Sequence, residues 1–192
     1  MPNNIPNLLT WFRIWMIPVF VGLLYLPDAT LDAHQKHLYS TVIFVLAAVT
    51  DWLDGYLARS LNQTSAFGAF LDPVADKLMV AAALIVLVEL GQVAAFIALI
   101  IIGREITISA LREWMAQIGA SKSVAVSMLG KVKTAFQMIA IPMLLYQEPL
   151  FGLPTQAIGS VLILLATVLT LWSMAYYLMQ AMPQIARKQR GE

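Results

Sequence analysis

Six predominantly apolar stretches, each about as long as the roughly 20 residues a helix needs to cross a bilayer, constrain this chain more than any other feature. They lie near 6–26, 38–59, 73–90, 92–112, 130–147 and 155–182. PDATLDAHQKH forms a polar break after the first, LGQV and QEPLFGLP carry Gly and Pro turn signals, and GASKSVAVSMLGK separates the fourth from the fifth. Hydrophobic residues make up 60% of the chain and charged residues 12%, more apolar surface than a soluble domain of this size hides in one core. The pattern predicts an all-α integral membrane protein with six transmembrane helices in one bundle, residues 1–192 forming a single domain.

Cysteine is absent, which excludes disulfides and thiolate metal sites, so any metal must be held by oxygen or imidazole. A net charge of +1 gives no nucleic-acid footprint. The N-terminus lacks a basic region followed by a small-residue cleavage site, so the first apolar segment is expected to be retained. With six crossings, eleven of the 12 Lys and Arg residues fall on the side of the termini and only Lys36 on the other. Because basic residues are held back on the cytoplasmic side, both termini are expected there.

Four of the eleven acidic residues, Asp51, Asp54, Asp72 and Asp76, cluster on that same side within DWLDGYLARSLNQTSAFGAFLDPVAD. On a helix Asp51, Asp54, Gly55 and Ala58 share roughly one face, and so do Asp72 and Asp76, four residues apart. Asp72-Pro73 reads as a helix start, with Asp capping the first amides and Pro at the first helical position. Taken alone, the second pair is explained by capping. Four carboxylates converging near a membrane repel one another and are costly to desolvate, so they call for compensating positive charge. Hard divalent cations prefer carboxylate oxygens, and two such ions can stabilise a leaving phosphate. Gly55 and Ala58 then either admit a ligand to the helix backbone or serve close helix packing.

The spacing Asp51-x-x-Asp54-Gly55-x-x-Ala58-Arg59, eight residues, Gly68, three residues, Asp72, three residues, Asp76 resembles the CDP-alcohol phosphotransferase signature with every position filled. The resemblance implies a six-helix membrane enzyme that displaces CMP from a CDP-linked lipid using two divalent cations, Mg2+ or Mn2+. It implies that Asp51, Asp54 and Asp72 bind metal, that Asp76 binds metal and acts as general base, that Asp51, Asp54, Gly55, Ala58 and Arg59 face the cytidine nucleotide, and that Gly68 permits a close turn beside it. The likeness extends through NIPNLLTWFRI, REITISALREWMA, SVAVSMLGKVKTAFQM and LTLWSM to bacterial members that join CDP-diacylglycerol to sn-glycerol 3-phosphate. It thereby implies residence in the bacterial inner membrane, an active site facing the cytoplasm, contact with membrane lipids, and a homodimer. Asn7 and Thr10, with Arg13 in the same PNLLTWFR element, are candidates for nucleotide binding or for anchoring a helix start at the interface.

An anionic acceptor agrees with Arg104, Arg112, Lys131 and Lys133 around the fourth and fifth segments, on the aspartate side. Arg offers a phosphate a forked pair of bonds and Lys a point charge. Enforcing topology, or pairing with Glu105 and Glu113, competes with that role. The alternatives are another acceptor (serine, an inositol phosphate, phosphatidylglycerol), an inert homologue, or a divalent-cation transporter lined by the same acids. His34 and His37, beside Asp28 and Asp32, read as a solvated cluster rather than a metal site. Pro18 and Pro142 read as kinks within helices.

Overall fold

The structure, a computed structural model, describes residues 5–60, 66–117 and 128–189, with side chains at 8–53, 68, 70–117, 128 and 130–183. Among these residues the regular elements are six helices: α1 (Ile5–Leu24), α2 (Ala33–Ser60), α3 (Ala66–Glu89), α4 (Ala95–Gln117), α5 (Met128–Tyr146) and α6 (Thr155–Gln189). Each apolar stretch is a helix. Several helices run past the apolar stretch that announced them, α2 starting at Ala33, α4 reaching Gln117 and α6 reaching Gln189. Polar residues continue the backbone ladder without contributing to the hydropathy that marks a span.

The start of α3 differs from expectation. The helix begins at Ala66, and Asp72 and Pro73 lie inside it. Pro73 lacks an amide to bond the carbonyl four residues back, and the residue before a proline disfavours helical geometry. Tertiary contacts offset both costs here: Leu71 and Ala75 are buried on either side, and the Asp72 carboxylate accepts a hydrogen bond from the Thr10 hydroxyl of α1. Asp72 is therefore a mid-helix ligand of a neighbouring helix, not a cap. Pro18 and Pro142 lie inside α1 and α5.

Local chemistry sets the other ends. Asp32 and Gln35 form a reciprocal capping box at α2, with side-chain bonds to each other's amides at 2.7 and 3.1 Å. Helix α3 ends in a Schellman turn: Gly91 has φ 70°, the Gln92 amide bonds the Leu87 carbonyl at 2.8 Å, and the Gly91 amide bonds that of Val88 at 3.0 Å.

Packing closes the helices into a ring in the neighbour order α1, α2, α5, α6, α4, α3, with further contacts of α3 to α2 and α5 crossing its middle. Helices α1 and α3 run in the same direction and in register, since Thr10 meets Asp72 at one end and the Tyr25 hydroxyl meets Glu89 at the other, 2.8 Å away. The core joins all six helices through Phe20, Phe44, Leu84, Leu87, Ile101, Ile141, Leu144 and Ile163. The outward face is also apolar: Trp15 is 70% exposed and Leu99 72%, with Val19, Ile85, Phe96, Val168 and Trp172 also exposed. By length and composition, one helix among the described residues, Thr155–Pro183 within α6, is apolar enough to cross a membrane, and a shorter apolar run, Leu8–Leu24, lies in α1.

At the end of the bundle away from the aspartates, His34 Nδ1 pairs with Glu148, and Lys36 bonds Asp28 at 2.7 Å, holding the exposed Asp28 carboxyl below its usual range. The two histidines thus sit among ordinary surface pairs.

Helices α5 and α6 pack tightly at Gly159, where an added Cβ would stand 2.8 Å from Leu144 Cγ and 3.3 Å from the Ala140 carbonyl oxygen. Gly159→Leu is expected to cost about 1–3 kcal/mol by overpacking, read as a lowered unfolding midpoint in detergent.

Candidate active site

Three helices bring the charged site together. From α1, Thr10 and Arg13 project three residues apart from one face, and from α3, Asp72 and Asp76 project four apart. The parallel register sets Thr10 against Asp72 and Arg13 against Asp76, both hydrogen-bonded. Asp51 of α2 completes the group, its Oδ1 accepting from Arg13 Nη1 at 2.9 Å. Arg13 is 1% exposed although charged, and the carboxylates of Asp51 and Asp76 pair with it. Such a buried cation needs paired anions, because an unpaired charge away from water is costly.

A cavity of about 360 Å³ opens beside this group. Arg13, Asp51, Asp76, Lys77 and Glu105 line its charged part, and Phe44, Met79, Val80 and Met138 its apolar wall. A ligand with a charged head and an apolar body matches such a space.

Glu105 connects the cavity to a second charged cluster. Its carboxylate accepts from Arg104 Nη1 at 3.1 Å and from the Lys133 ammonium of α5. Arg104 Nη2 donates to Ser173 Oγ of α6 at 3.1 Å. The eight-residue spacing of Arg104 and Arg112 places both guanidiniums against the ring of buried Tyr177, at 5.7 and 5.5 Å from its centroid. Contacts of this kind contribute about 0.5–2 kcal/mol each and hold both guanidiniums in position. The Nε atoms of Arg104 and Arg112 are buried and have no acceptor among the described residues. Buried donors normally find a partner, and two of them in one basic cluster suit an anion.

The structure thus brings together Thr10, Asp51, Asp72 and Asp76 in one group and Arg104, Arg112 and Lys133 in another. Lys131 does not join: it is exposed, and two residues along a helix turn it to a different side from buried Lys133. Gly68 is buried in the first turn of α3, so it permits no loop turn there and acts as a small residue within a helix. The side chains of Asn7, Asp54, Ala58 and Arg59 lie outside the described ones, and of Gly55 only its place within α2 is described. Sequence reasoning offers Arg13 only as a candidate for nucleotide binding or helix anchoring beside Asn7 and Thr10, although a lone Arg within the apolar LLTWFRIWM signals a charge that needs a partner. Tyr177 and Ser173 carried no such signal.

Among the described residues no three His, Asp or Glu side chains converge closely enough to form a metal-binding group. The donor chemistry still fits a hard divalent ion, since Asp51, Asp72 and Asp76 offer only carboxylate oxygens, and Arg13 shows that Asp51 and Asp76 can share one cation.

A model of the CDP-alcohol phosphatidyltransferase family matches residues 3–172. The chain belongs to that family. It is 49% identical over 183 residues to the CDP-diacylglycerol–glycerol-3-phosphate 3-phosphatidyltransferase of Escherichia coli K12, covering 94% of this chain and 96% of the relative. The proteins of the same name from Salmonella typhimurium and Shigella flexneri match to the same extent. The family signature thus falls on α2 and α3, the two helices whose carboxylates Arg13 joins.

Glu105→Gln is expected to destabilise the fold, because it leaves buried Arg104 and Lys133 without their shared anion. Breaking a buried pair costs about 3–5 kcal/mol, and partial exposure of Glu105 places the expectation near the lower end. Lys131→Ala is expected to change stability by less than about 0.5 kcal/mol. Denaturant unfolding of both variants in the same detergent tests the contrast.

Proposed function

We propose that the protein transfers the phosphatidyl group from CDP-diacylglycerol to sn-glycerol 3-phosphate, releasing phosphatidylglycerophosphate and CMP. Near-full-length identity to relatives bearing that name supports it. The observation in the molecule that carries it is one cavity lined by Asp51, Asp76 and Arg13 together with Glu105, whose carboxylate binds Arg104 and Lys133.

All six helices cross the bacterial inner membrane, with the site at the cytoplasmic face. The apolar outward surface and the eleven-to-one distribution of basic residues support this. The acyl chains of the donor stay in lipid while its pyrophosphate reaches the aspartates. Asp51, Asp54, Asp72 and Asp76 hold two divalent cations, Mg2+ or Mn2+, which when bound neutralise pyrophosphate charge. Gly55, Ala58, Arg59, Asn7 and Thr10 face the nucleotide.

Arg104, Arg112 and Lys133 hold the acceptor's phosphate, with Tyr177 fixing the two guanidiniums. The primary hydroxyl of the acceptor loses its proton to the Asp76 carboxylate as its oxygen bonds the lipid-linked phosphorus, and the bond from that phosphorus to the CMP oxygen breaks. Positioning of both substrates supplies much of the barrier reduction. The transfer is direct, through a complex of both substrates.

Purified protein given CDP-diacylglycerol is expected to release CMP on addition of glycerol 3-phosphate and not of serine or an inositol phosphate. Release with serine alone would replace the acceptor assignment. Asp76→Asn is expected to lower kcat by about 10²–10⁴, the range for losing a general base, and full activity in that variant removes Asp76 from the role.

A further inference from the structure

Arg13 stands where a bridging cation would stand. Its Nη1 lies 2.9 Å from Asp51 Oδ1 and also donates to Asp76 Oδ1, so one positive group contacts an oxygen on each of two helices. A hard divalent ion selects the same oxygens. The guanidinium sits at the end of a long side chain and can yield this place by moving. The cavity gives it somewhere to go, because Arg13, Asp51 and Asp76 line the same space of about 360 Å³.

We propose that Arg13 is a built-in counter-ion that occupies the cation position between Asp51 and Asp76, and that a divalent ion binds these carboxylates by displacing its guanidinium. This rests on the reading of the two aspartates as metal ligands. In the ion's absence Arg13 neutralises the carboxylates and ties α1 to α2 and α3. Once displaced into the cavity, it presents a forked donor to an anionic substrate. Arg13 therefore lowers the affinity for the free ion while keeping the bundle assembled without it.

The test is Mn2+ binding to the full-length protein in detergent without nucleotide, followed by electron paramagnetic resonance of the free ion, with thermal unfolding in parallel. Arg13→Gln and Arg13→Met are expected to bind Mn2+ about tenfold or more tightly than the wild type, as one competing charge at contact distance is removed. Both variants should melt lower than the wild type without Mn2+ and regain more on its addition. Arg13→Lys, which keeps the charge, should bind within about threefold of the wild type, and Asp51→Asn should weaken binding. If wild type and variants bind Mn2+ equally, the counter-ion proposal is overturned and the metal reading stands. Binding by none of them overturns both. Failure of both uncharged variants to fold even with Mn2+ also overturns the proposal, since Arg13 would then be a clamp whose place no ion can take.

Discussion

Charge compensation between Arg13 and the two aspartates is the interaction on which the arrangement of α1, α2 and α3 depends. Asp51 and Asp76 come from different helices and would repel each other without a cation between them. Arg13, almost wholly removed from solvent, would be equally costly without the carboxylates. Each charge is tolerable because the others are present, so the contact fixes rotation and register as well as proximity. The same register recurs at the other end of the α1 and α3 pair, where Tyr25 meets Glu89. Between the two polar ends lie apolar contacts that would allow sliding by themselves.

A second compensation of opposite sign organises α4, α5 and α6. Here one anion, Glu105, serves the cations Arg104 and Lys133, and the Tyr177 ring lies against both guanidiniums of α4. In the first group a cation gathers carboxylates, and in the second a carboxylate gathers cations. Glu105 lines the same cavity as Arg13, Asp51 and Asp76 and so links the two groups, and a region containing many charges is close to neutral before any ligand arrives. An apolar bundle can hold such a region because little net charge is left to solvate.

The helices were legible because bilayer-length apolar runs leave few alternatives, and α1 through α6 all fall on the stretches that announced them. Their ends were less legible. The fourth apolar stretch ends at 112, whereas the ladder runs on through Glu113 to Gln117 in α4, and in α2 it begins at Ala33, ahead of Leu38. The start of α3 was misjudged because Asp-Pro has a local meaning, a cap, that the Thr10 contact overrides. Aspartate spacing within one helix was readable, but the partner of Arg13 lies 38 residues away in one case and 63 in the other. The contact of Arg104 with Ser173 spans 69 residues. Periodicity gives the face of a helix and not the face it meets. The separation of Lys131 from Lys133 was readable in principle, since a two-residue step crosses a helix.

The second group bears directly on how the proposed acceptor would be chosen. A site that buries donors discriminates most strongly against molecules that leave them unpaired, by up to about 10⁴–10⁵ where no internal partner compensates. Glu105 limits that here, because it already serves Arg104 Nη1 and Lys133, and an incoming phosphate must compete with it. The buried Nε atoms of Arg104 and Arg112 have no such internal acceptor among the described residues. Selectivity for a phosphate-bearing acceptor over serine would therefore arise less from the total positive charge, much of which Glu105 cancels, than from these two N–H groups. Tyr177 then matters by orientation, because the same ring contact that stabilises both guanidiniums also determines which way their remaining donors point.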